Sequence, residues 1–202
     1  MIIVNDIVQG SDEWLEAKLG KVSASRANLI VTTKGKQTTG ESRKKYMYEL
    51  AAERITGMRD VTFKSAAMEV GNEREEESRK LYEMMNDVEV EQVGLIYKDD
   101  TKEILCSPDG IVNRKYGLEL KNVLAKTQVG RLIDNKLPTE YVIQIQFSLW
   151  VTGFDRWDFC SYSPSLKPLI IPVYRDNGLM LRIEEEVYLF NKELKDVVRK
   201  IA

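Results

Sequence analysis

The stretch that decides the fold of this chain is Ser107-Pro108-Asp109-Gly110, together with Gly117-Leu118-Glu119-Leu120-Lys121 a few residues later. Both segments are typical of short strands, and the residues between them are typical of a turn, so the sequence predicts a hairpin. Because side chains alternate along a strand, Glu119 and Lys121 are predicted on one face and the two leucines on the other. The proline restricts the corner that presents Asp109. Two carboxylates and a lysine are therefore expected to meet at this hairpin.

This arrangement is the D…E-x-K pattern that is typical of metal-dependent phosphodiesterases. Two divalent ions about 4 Å apart activate a water and stabilise the leaving oxygen, so the chemistry needs carboxylates that converge. We expect Asp109 to bridge the ions, Glu119 to be a second ligand, and the backbone carbonyl of Leu120 to complete the coordination of one ion. Lys121 is expected to orient or deprotonate the attacking water, or to offset the charge that forms on the phosphate. An exposed hairpin with a cross-strand charge pair is the alternative interpretation.

The composition excludes several other kinds of catalysis. The 202 residues include no histidine, which rules out Ser-His-Asp and Cys-His catalysis and H-E-x-x-H zinc sites. Oxygen atoms would then hold any bound metal, which favours Mg²⁺, with Mn²⁺ as a substitute, over zinc. The two cysteines, Cys106 and Cys160, lie in apolar, strand-like segments, where buried thiols are expected rather than a disulfide or metal ligands.

The chain is expected to form one domain over residues 1–202, because no repeat or linker-like segment divides it. No apolar stretch is long enough for a membrane span and the amino terminus lacks a basic signal segment, so we expect a soluble, intracellular protein. The net charge is −2, but residues 26–54 carry seven basic and three acidic side chains. This local excess fits a surface that holds a phosphate backbone, and equally a solvated lysine-rich loop and helix.

Predicted helices and strands are mixed along the chain, as in an α/β protein. Helices are predicted at residues 11–20, 23–30, 41–56, 66–85, 126–134, 139–151 and 178–201. Strands are predicted at residues 88–93, 94–98, 104–107, 110–113, 117–123, 156–162 and 169–173, the first five as an antiparallel meander. The expected architecture is a mixed α/β sandwich.

One carboxylate of the acidic helix at residues 66–85 is a further candidate for the site. Helical spacing places Glu75 near a stripe that also carries Ser78, Tyr82 and Met85, whereas its acidic neighbours fall elsewhere. We therefore favour Glu75 as an outer or second-metal carboxylate. A fully solvated acidic face is the alternative.

The apolar helix at residues 139–151 carries polar side chains that must find partners. Tyr141, Gln144 and Ser148 share one face and are candidates to contact the metal ligands or DNA. Bonding to neighbouring backbone is the alternative role for the glutamines, and it is the preferred one for Gln146.

A terminal phosphate needs hydrogen-bond donors and a cation. Ser25, near a helix start, and Ser107, just before the acidic corner, offer the donors, and Lys18 offers the charge. Serines in such places otherwise act only as helix caps.

Five blocks of residues occur in an order and spacing that are highly specific when taken together. They are Trp14 with Lys18-Leu19-Gly20-x-x-Ser23-Ala24-Ser25, then Gly71-x-x-x-Glu75, Cys106-Ser107-Pro108-Asp109-Gly110, Gly117-Leu118-Glu119-Leu120-Lys121, and Tyr141-x-x-Gln144-x-Gln146-x-Ser148-x-Trp150-Val151-Thr152. From about Trp14 to Val173 the chain resembles phage lambda exonuclease and related viral recombination nucleases of the YqaJ type. The resemblance implies a restriction-endonuclease-like PD-(D/E)XK core, with a mixed central sheet flanked by helices.

The resemblance also implies an activity and partners. The implied enzyme is a Mg²⁺-dependent, processive 5′→3′ exonuclease that degrades one strand of linear double-stranded DNA and leaves 3′ single-stranded overhangs for phage-type recombination. The family forms ring-shaped homotrimers around DNA ends and works with a single-strand annealing protein. Alternatives are a RecB- or Cas4-like nuclease without the iron–sulphur cluster, which needs four cysteines, a restriction endonuclease, and a DNA-end-binding adaptor that has lost catalysis.

Site residues follow from the resemblance by their place in the motifs. The catalytic set, which would hold two Mg²⁺ ions, consists of Glu75, Asp109, Glu119 and Lys121, with Gln144 in support. The implied phosphate- and DNA-binding residues are Lys18, Ser25, Ser107, Tyr141 and Met68. A lysine stands at position 18 where the lambda enzyme has an arginine, which implies a softer phosphate preference because the bidentate fork is lost. Met68 falls at the family's apolar strand-separating wedge, although a methionine at helical spacing is usually a core residue.

Overall fold

The computed structural model describes residues 1–59 and 74–202 and has a mixed α/β architecture. Its helices are α1 Asp12–Ala17, α2 Glu41–Thr56, α3 Glu75–Asn86, α4 Ala125–Asp134, α5 Thr139–Thr152 and α6 Asn177–Ile201, with a 3-10 helix at Ala24–Leu29. Its strands are β1 Ile2–Val4, β2 Val22–Ser23, β3 Val90–Glu91, β4 Leu95–Tyr97, β5 Ile104–Cys106, β6 Gly110–Val112, β7 Tyr116–Asn122, β8 Arg156–Tyr162 and β9 Leu169–Tyr174.

Local sequence signals set several helix ends. The Ser11 hydroxyl accepts a hydrogen bond from the backbone N–H of Trp14 and caps α1, as its position predicted. Helix α2 has the predicted bounds, because Gly57 adopts the left-handed conformation, φ 66°, that ends it. The predicted helix at residues 66–85 is confirmed from Glu75 onward, and its earlier part, including Met68, lies outside the described residues.

The strands form two sheets, so the prediction of one antiparallel meander was wrong. The central sheet has the order β3-β6-β7-β8-β9, in which β7 and β8 are parallel and the other neighbours antiparallel. The second sheet has the order β1-β4-β5-β2. The expected hairpins β4/β5 and β6/β7 are present, but β4 and β5 take their other partners, β1 and β2, from the beginning of the chain.

The two faces of β7 meet different helices. Leu118 and Leu120 pack with Tyr82 of α3 in one apolar cluster. Helix α5 belongs to the main core, where Phe147 packs with the fully buried Trp157 and Phe159 of β8. The alternation predicted for β7 is confirmed, and it leaves the charged side chains of the strand on the α5 side.

Two remaining expectations concern cysteines and membranes. Cys106 and Cys160 are buried free thiols, as predicted, and burial raises the pKa of Cys160 to about 12. Across residues 1–59 and 74–202, no helix has the length and apolar character that a membrane crossing requires.

Candidate active site

The predicted hairpin brings the two acids of the D…E-x-K pattern together. Gly110 of β6 lies opposite Leu118 of β7, so Asp109 stands at the beginning of one strand beside the middle of the other. The backbone N–H of Asp109 donates to the Leu118 carbonyl at 3.0 Å. Its carboxylate oxygen Oδ2 in turn accepts from the backbone N–H of Leu120 at 2.6 Å. These two bonds fix the Asp109 carboxylate against β7.

Glu119 is the buried centre of the site. Its side chain is 3% exposed, and its Oε1 atom accepts hydrogen bonds from both Lys121 Nζ and Gln144 Nε2, the latter at 2.6 Å. Lys121 comes from the same face of β7 and Gln144 from α5. The structure therefore joins Glu119, Lys121 and Gln144 in one group, as their spacing predicted.

Burial and mutual repulsion shift the ionisation of this group. The pKa of Glu119 is raised to about 7, mainly by burial and also by the neighbouring charge of Asp109, against the opposing effect of Lys121. Burial also raises the pKa of Asp109. For Lys121, burial alone would lower the pKa, but the attraction of Glu119 and Asp109 outweighs it and raises the pKa above its usual range. Two acids thus share one ammonium group, which leaves the site attractive to cations.

Glu75 is the third carboxylate at this site, in the first turn of α3. Burial raises its pKa, and the charge of Asp109 raises it further, which shows that the two carboxylates lie within electrostatic reach. Its Oε1 atom lies 2.5 Å from the Arg79 guanidinium. Of the stripe predicted around it, Ser78 and Tyr82 are buried, and Met85, in the last turn of the helix, is 53% exposed.

The donor set fits a hard divalent cation. Carboxylate oxygens are the ligands that Mg²⁺ prefers, and Asp109 and Glu119 each use one oxygen in the bonds above while a carboxylate has two. Within the described ranges, no three Asp, Glu or Cys side chains are already grouped as a metal site. Glu119 is instead paired with Lys121. Coordination by the carbonyl of Leu120 stays a prediction.

A second, basic centre adjoins the acidic one. Lys18 Nζ lies 3.6 Å from the centre of the Trp14 ring, and the indole N–H of Trp14 donates to Ser107 Oγ at 3.2 Å. Lys18 and Ser107 therefore sit around one indole, and Ser107 is two residues from Asp109. Ser25 is exposed, and its hydroxyl oxygen lies 3.3 Å from the hydroxyl oxygen of Ser23.

A pocket beside Lys18 contains cations that sequence reasoning missed. It is lined by Lys18, Leu19, Lys21, Ser23, Arg26, Tyr46, Glu49, Leu50, Glu53 and Arg59. The pKa of Lys18 is lowered to about 8, mainly by burial and also by the nearby charge of Arg59. Arg26 is held by Glu49 through two bonds of 3.2 and 2.9 Å. The excess of basic residues at 26–54 was the available signal for Arg26, but it could not indicate which basic residues converge.

The other polar residues of α5 have mixed roles. The Tyr141 hydroxyl accepts from Arg131 at 3.1 Å, and its ring lies 5.5 Å from Lys121 Nζ. Ser148 donates to the backbone carbonyl of Gln144 at 2.9 Å, which is a helix-internal bond. Gln146 bonds the backbone of residues 174 and 176, and its predicted structural role is confirmed.

Comparison with known proteins places this geometry in a family. The profile of the YqaJ-like viral recombinase domain matches residues 13–155. The alkaline exonuclease LHK-Exo from Laribacter hongkongensis is 32% identical, with a TM-score of 0.85 over 95% of this chain and 96% of that chain. Its complex with dAMP matches equally well. A phage related exonuclease from Haemophilus somnus 129PT, 17% identical with a TM-score of 0.65 over 90% of this chain and 96% of that chain, shares the fold.

A curated relative is an uncharacterized protein of Acanthamoeba polyphaga mimivirus, 33% identical over 106 residues, which are 44% of this chain. The matched region spans only 19% of the mimivirus protein. The resemblance and the fold class predicted from the sequence are both confirmed by the family profile and by the LHK-Exo structures. The chain belongs to the YqaJ-like viral recombinase family.

Proposed function

We propose that this nuclease is a Mg²⁺-dependent, processive 5′→3′ exonuclease that degrades one strand of linear double-stranded DNA and leaves 3′ single-stranded overhangs. The observation that carries the proposal is the connection between the two centres. Ser107 at the basic centre and Asp109 at the acidic centre are separated by one proline, so a phosphate held at the first lies close to the carboxylates of the second. That arrangement suits a reaction at the end of a strand.

Each residue of the acidic centre has a distinct task in the proposed reaction. Asp109 and Glu119 would hold the Mg²⁺ ions, with Glu75 as an outer or second-metal carboxylate. When bound, the ions activate the attacking water and neutralise the scissile phosphate. Lys121 places a positive charge beside these carboxylates, so we assign it charge stabilisation and orientation of the attacking water. Gln144 fixes the Glu119 carboxylate.

The basic centre gives the reaction its polarity. Lys18, Ser25 and Ser107 would bind the 5′-terminal phosphate, and Trp14 supports two of them by its ring and its N–H. An ammonium against an indole face is stabilised even when it is largely desolvated. A 5′ end held there presents its own strand to the carboxylates.

The proposal extends to assembly and partners. We infer a homotrimer that encloses a DNA end, a single-strand annealing protein as the partner, and action in the bacterial cytoplasm. A net charge of −2 suits a ring, because only the channel needs a basic surface. Sedimentation should give a mass of three chains of 23.3 kDa each. A monomer mass would contradict the ring.

Digestion of end-labelled DNA tests the activity. Linear and closed-circular duplexes, each with Mg²⁺ or with EDTA, should show metal-dependent release of mononucleotides from linear 5′ ends alone. Discrete fragments from circular DNA would instead indicate an endonuclease. Loss of a label from the 3′ end would show degradation in the 3′→5′ direction. Binding without cleavage would favour the adaptor.

A matched pair of variants tests the catalytic assignment. Lys121→Met should lower the cleavage rate by about 10²- to 10³-fold while DNA binding is retained, because a charge that stabilises the transition state is lost. Lys115→Met, an exposed lysine in the turn of the same hairpin, is the control and should cleave normally. Near-full activity of Lys121→Met would refute the role.

A further inference from the structure

Arg79 is a buried cation that the D…E-x-K pattern does not contain. It lies on α3 and is 7% exposed. One terminal nitrogen lies 2.5 Å from Glu75 Oε1, and Nε donates to the backbone carbonyl of Asp109 at 3.4 Å. With its amide oxygen turned toward Arg79, Gln92 accepts from both terminal nitrogens, at 2.9 and 2.8 Å. The guanidinium thus joins α3 to the corner that carries Asp109.

The contacts of Arg79 act on a repulsive pair. Glu75 and Asp109 are like charges in a partly desolvated site, and each raises the cost of ionising the other. The positive charge of Arg79 lies close enough to both carboxyl groups to oppose that cost. Without it, the third carboxylate would be free to turn toward solvent, since its side chain is 30% exposed.

The geometry requires an arginine rather than any cation. A planar guanidinium presents donors in several fixed directions, whereas an ammonium is a point charge that cannot reach three separate acceptors in one plane. The same helix carries a second ion pair, Lys80 with Glu76, which has the same i, i+4 spacing and a 2.6 Å contact. Both of its side chains are 71% exposed. Removing the charge of Lys80 therefore serves as a control for the loss of a positive charge from α3 outside the site.

We propose that Arg79 is a positioning residue that holds Glu75 at the carboxylate centre and thereby sets the divalent-cation concentration the enzyme needs. This inference rests on the proposed metal-dependent function. Arg79 bonds Glu75 through Oε1 alone, and a carboxylate has a second oxygen with which to meet a cation. Partners of this kind, which orient a metal-binding side chain, typically change metal affinity by 10- to 100-fold when removed.

Two measurements on Arg79→Met, Arg79→Lys and Lys80→Met test the inference. The first is the Mg²⁺ concentration for half-maximal cleavage, and the second is calorimetric Mn²⁺ binding to the DNA-free protein. Arg79→Met should require roughly 10-fold more of either ion, Arg79→Lys an intermediate amount, and Lys80→Met the wild-type amount. An unchanged or lowered requirement in Arg79→Met overturns the inference. Should the methionine variant not fold, Arg79→Lys carries the same comparison.

A double variant separates positioning from a general effect on the fold. If Arg79 acts through Glu75, then Arg79→Met should add nothing to the change in Mn²⁺ affinity that Glu75→Gln causes. Additive effects would overturn the inference. The failure of the proposed function gives a different result. A wild-type protein that cleaves DNA in EDTA and binds no Mn²⁺ would refute the metal-dependent function and the role of Arg79 together. Metal-dependent cleavage that is unaffected by Arg79→Met would refute only the role of Arg79.

Discussion

The charge of Lys18 should make the choice of DNA end depend on pH. Burial, with a smaller contribution from the charge of Arg59, lowers its pKa to about 8, so the side chain loses its charge at moderately alkaline pH. In the proposed complex, a 5′-phosphate beside Lys18 would stabilise the ammonium form and raise this pKa. The preference for 5′-phosphorylated over 5′-hydroxyl ends should therefore fall as the pH rises.

The magnitude follows from proton linkage. At pH values between the pKa of Lys18 in the free enzyme and its higher pKa in the complex, the preference for 5′-phosphorylated ends falls by up to tenfold per pH unit. From pH 7.5 to 9.5 the expected loss is thus roughly 10- to 30-fold. The terminal phosphate has a second pKa near 6 and stays doubly charged throughout.

In the protein without DNA, the unfolded chain binds more protons than the folded one between about pH 8 and the usual pKa of 10.5, so the free energy of unfolding should rise with pH there.

Competition between two ends in one tube is the suitable assay. Duplexes with a 5′-phosphate or a 5′-hydroxyl, carrying different labels, are digested together, so effects of pH on Glu119 or Lys121 cancel in the ratio. The matched control is Lys18→Arg, whose guanidinium keeps its charge and should give a flat ratio. A flat ratio for the wild type, or an equal fall in both proteins, would refute the reasoning.

Two stability predictions concern the sheet that carries the site. A methyl group added at Gly117 would lie 2.3 Å from the ring of the fully buried Trp157, so Gly117→Ala should lower the free energy of unfolding by about 1–3 kcal/mol in urea titration. Gly130→Ala, in a helix with open space around it, should instead raise it by about 0.5–1 kcal/mol, and equal midpoints would contradict the packing argument. Tyr82 donates to the fully buried Asp158 at 2.6 Å, so Tyr82→Phe should cost about 1–3 kcal/mol in the same titration, and an unchanged midpoint would count against that bond.

Local patterns were sufficient where neighbours in sequence decide the outcome. Helix α2 had the predicted bounds because Gly57 supplies the left-handed ending. The β6/β7 hairpin and the faces of β7 followed from alternation, while helical spacing made Gln144 a candidate for contact with the metal ligands, and it bonds Glu119. These features depend on a few adjacent residues and one strong apolar face.

Non-local pairing was outside the reach of such patterns. Ile2 lies opposite Tyr97 in the second sheet, and nothing in either short segment identifies the other as its partner. Arg79 stands in a run of charged residues that is typical of a solvated helix face, and only the approach of the Asp109 corner makes it a buried residue. Trp14 was part of a motif, yet its contacts with Lys18 and Ser107 needed the coordinates.

The corner at residues 107–109 has a consequence for the products of digestion. Its buried proline has its carbonyl held by Gln9 at 2.7 Å, and Trp14 holds the residue before it. In the proposed enzyme, Ser107 on one side of this corner binds the terminal phosphate, and Asp109 on the other side faces the bond to be cut. Because the backbone is held at both places, that separation would stay constant in the proposed enzyme, and the length of each released piece would be set by the protein and not by the base sequence.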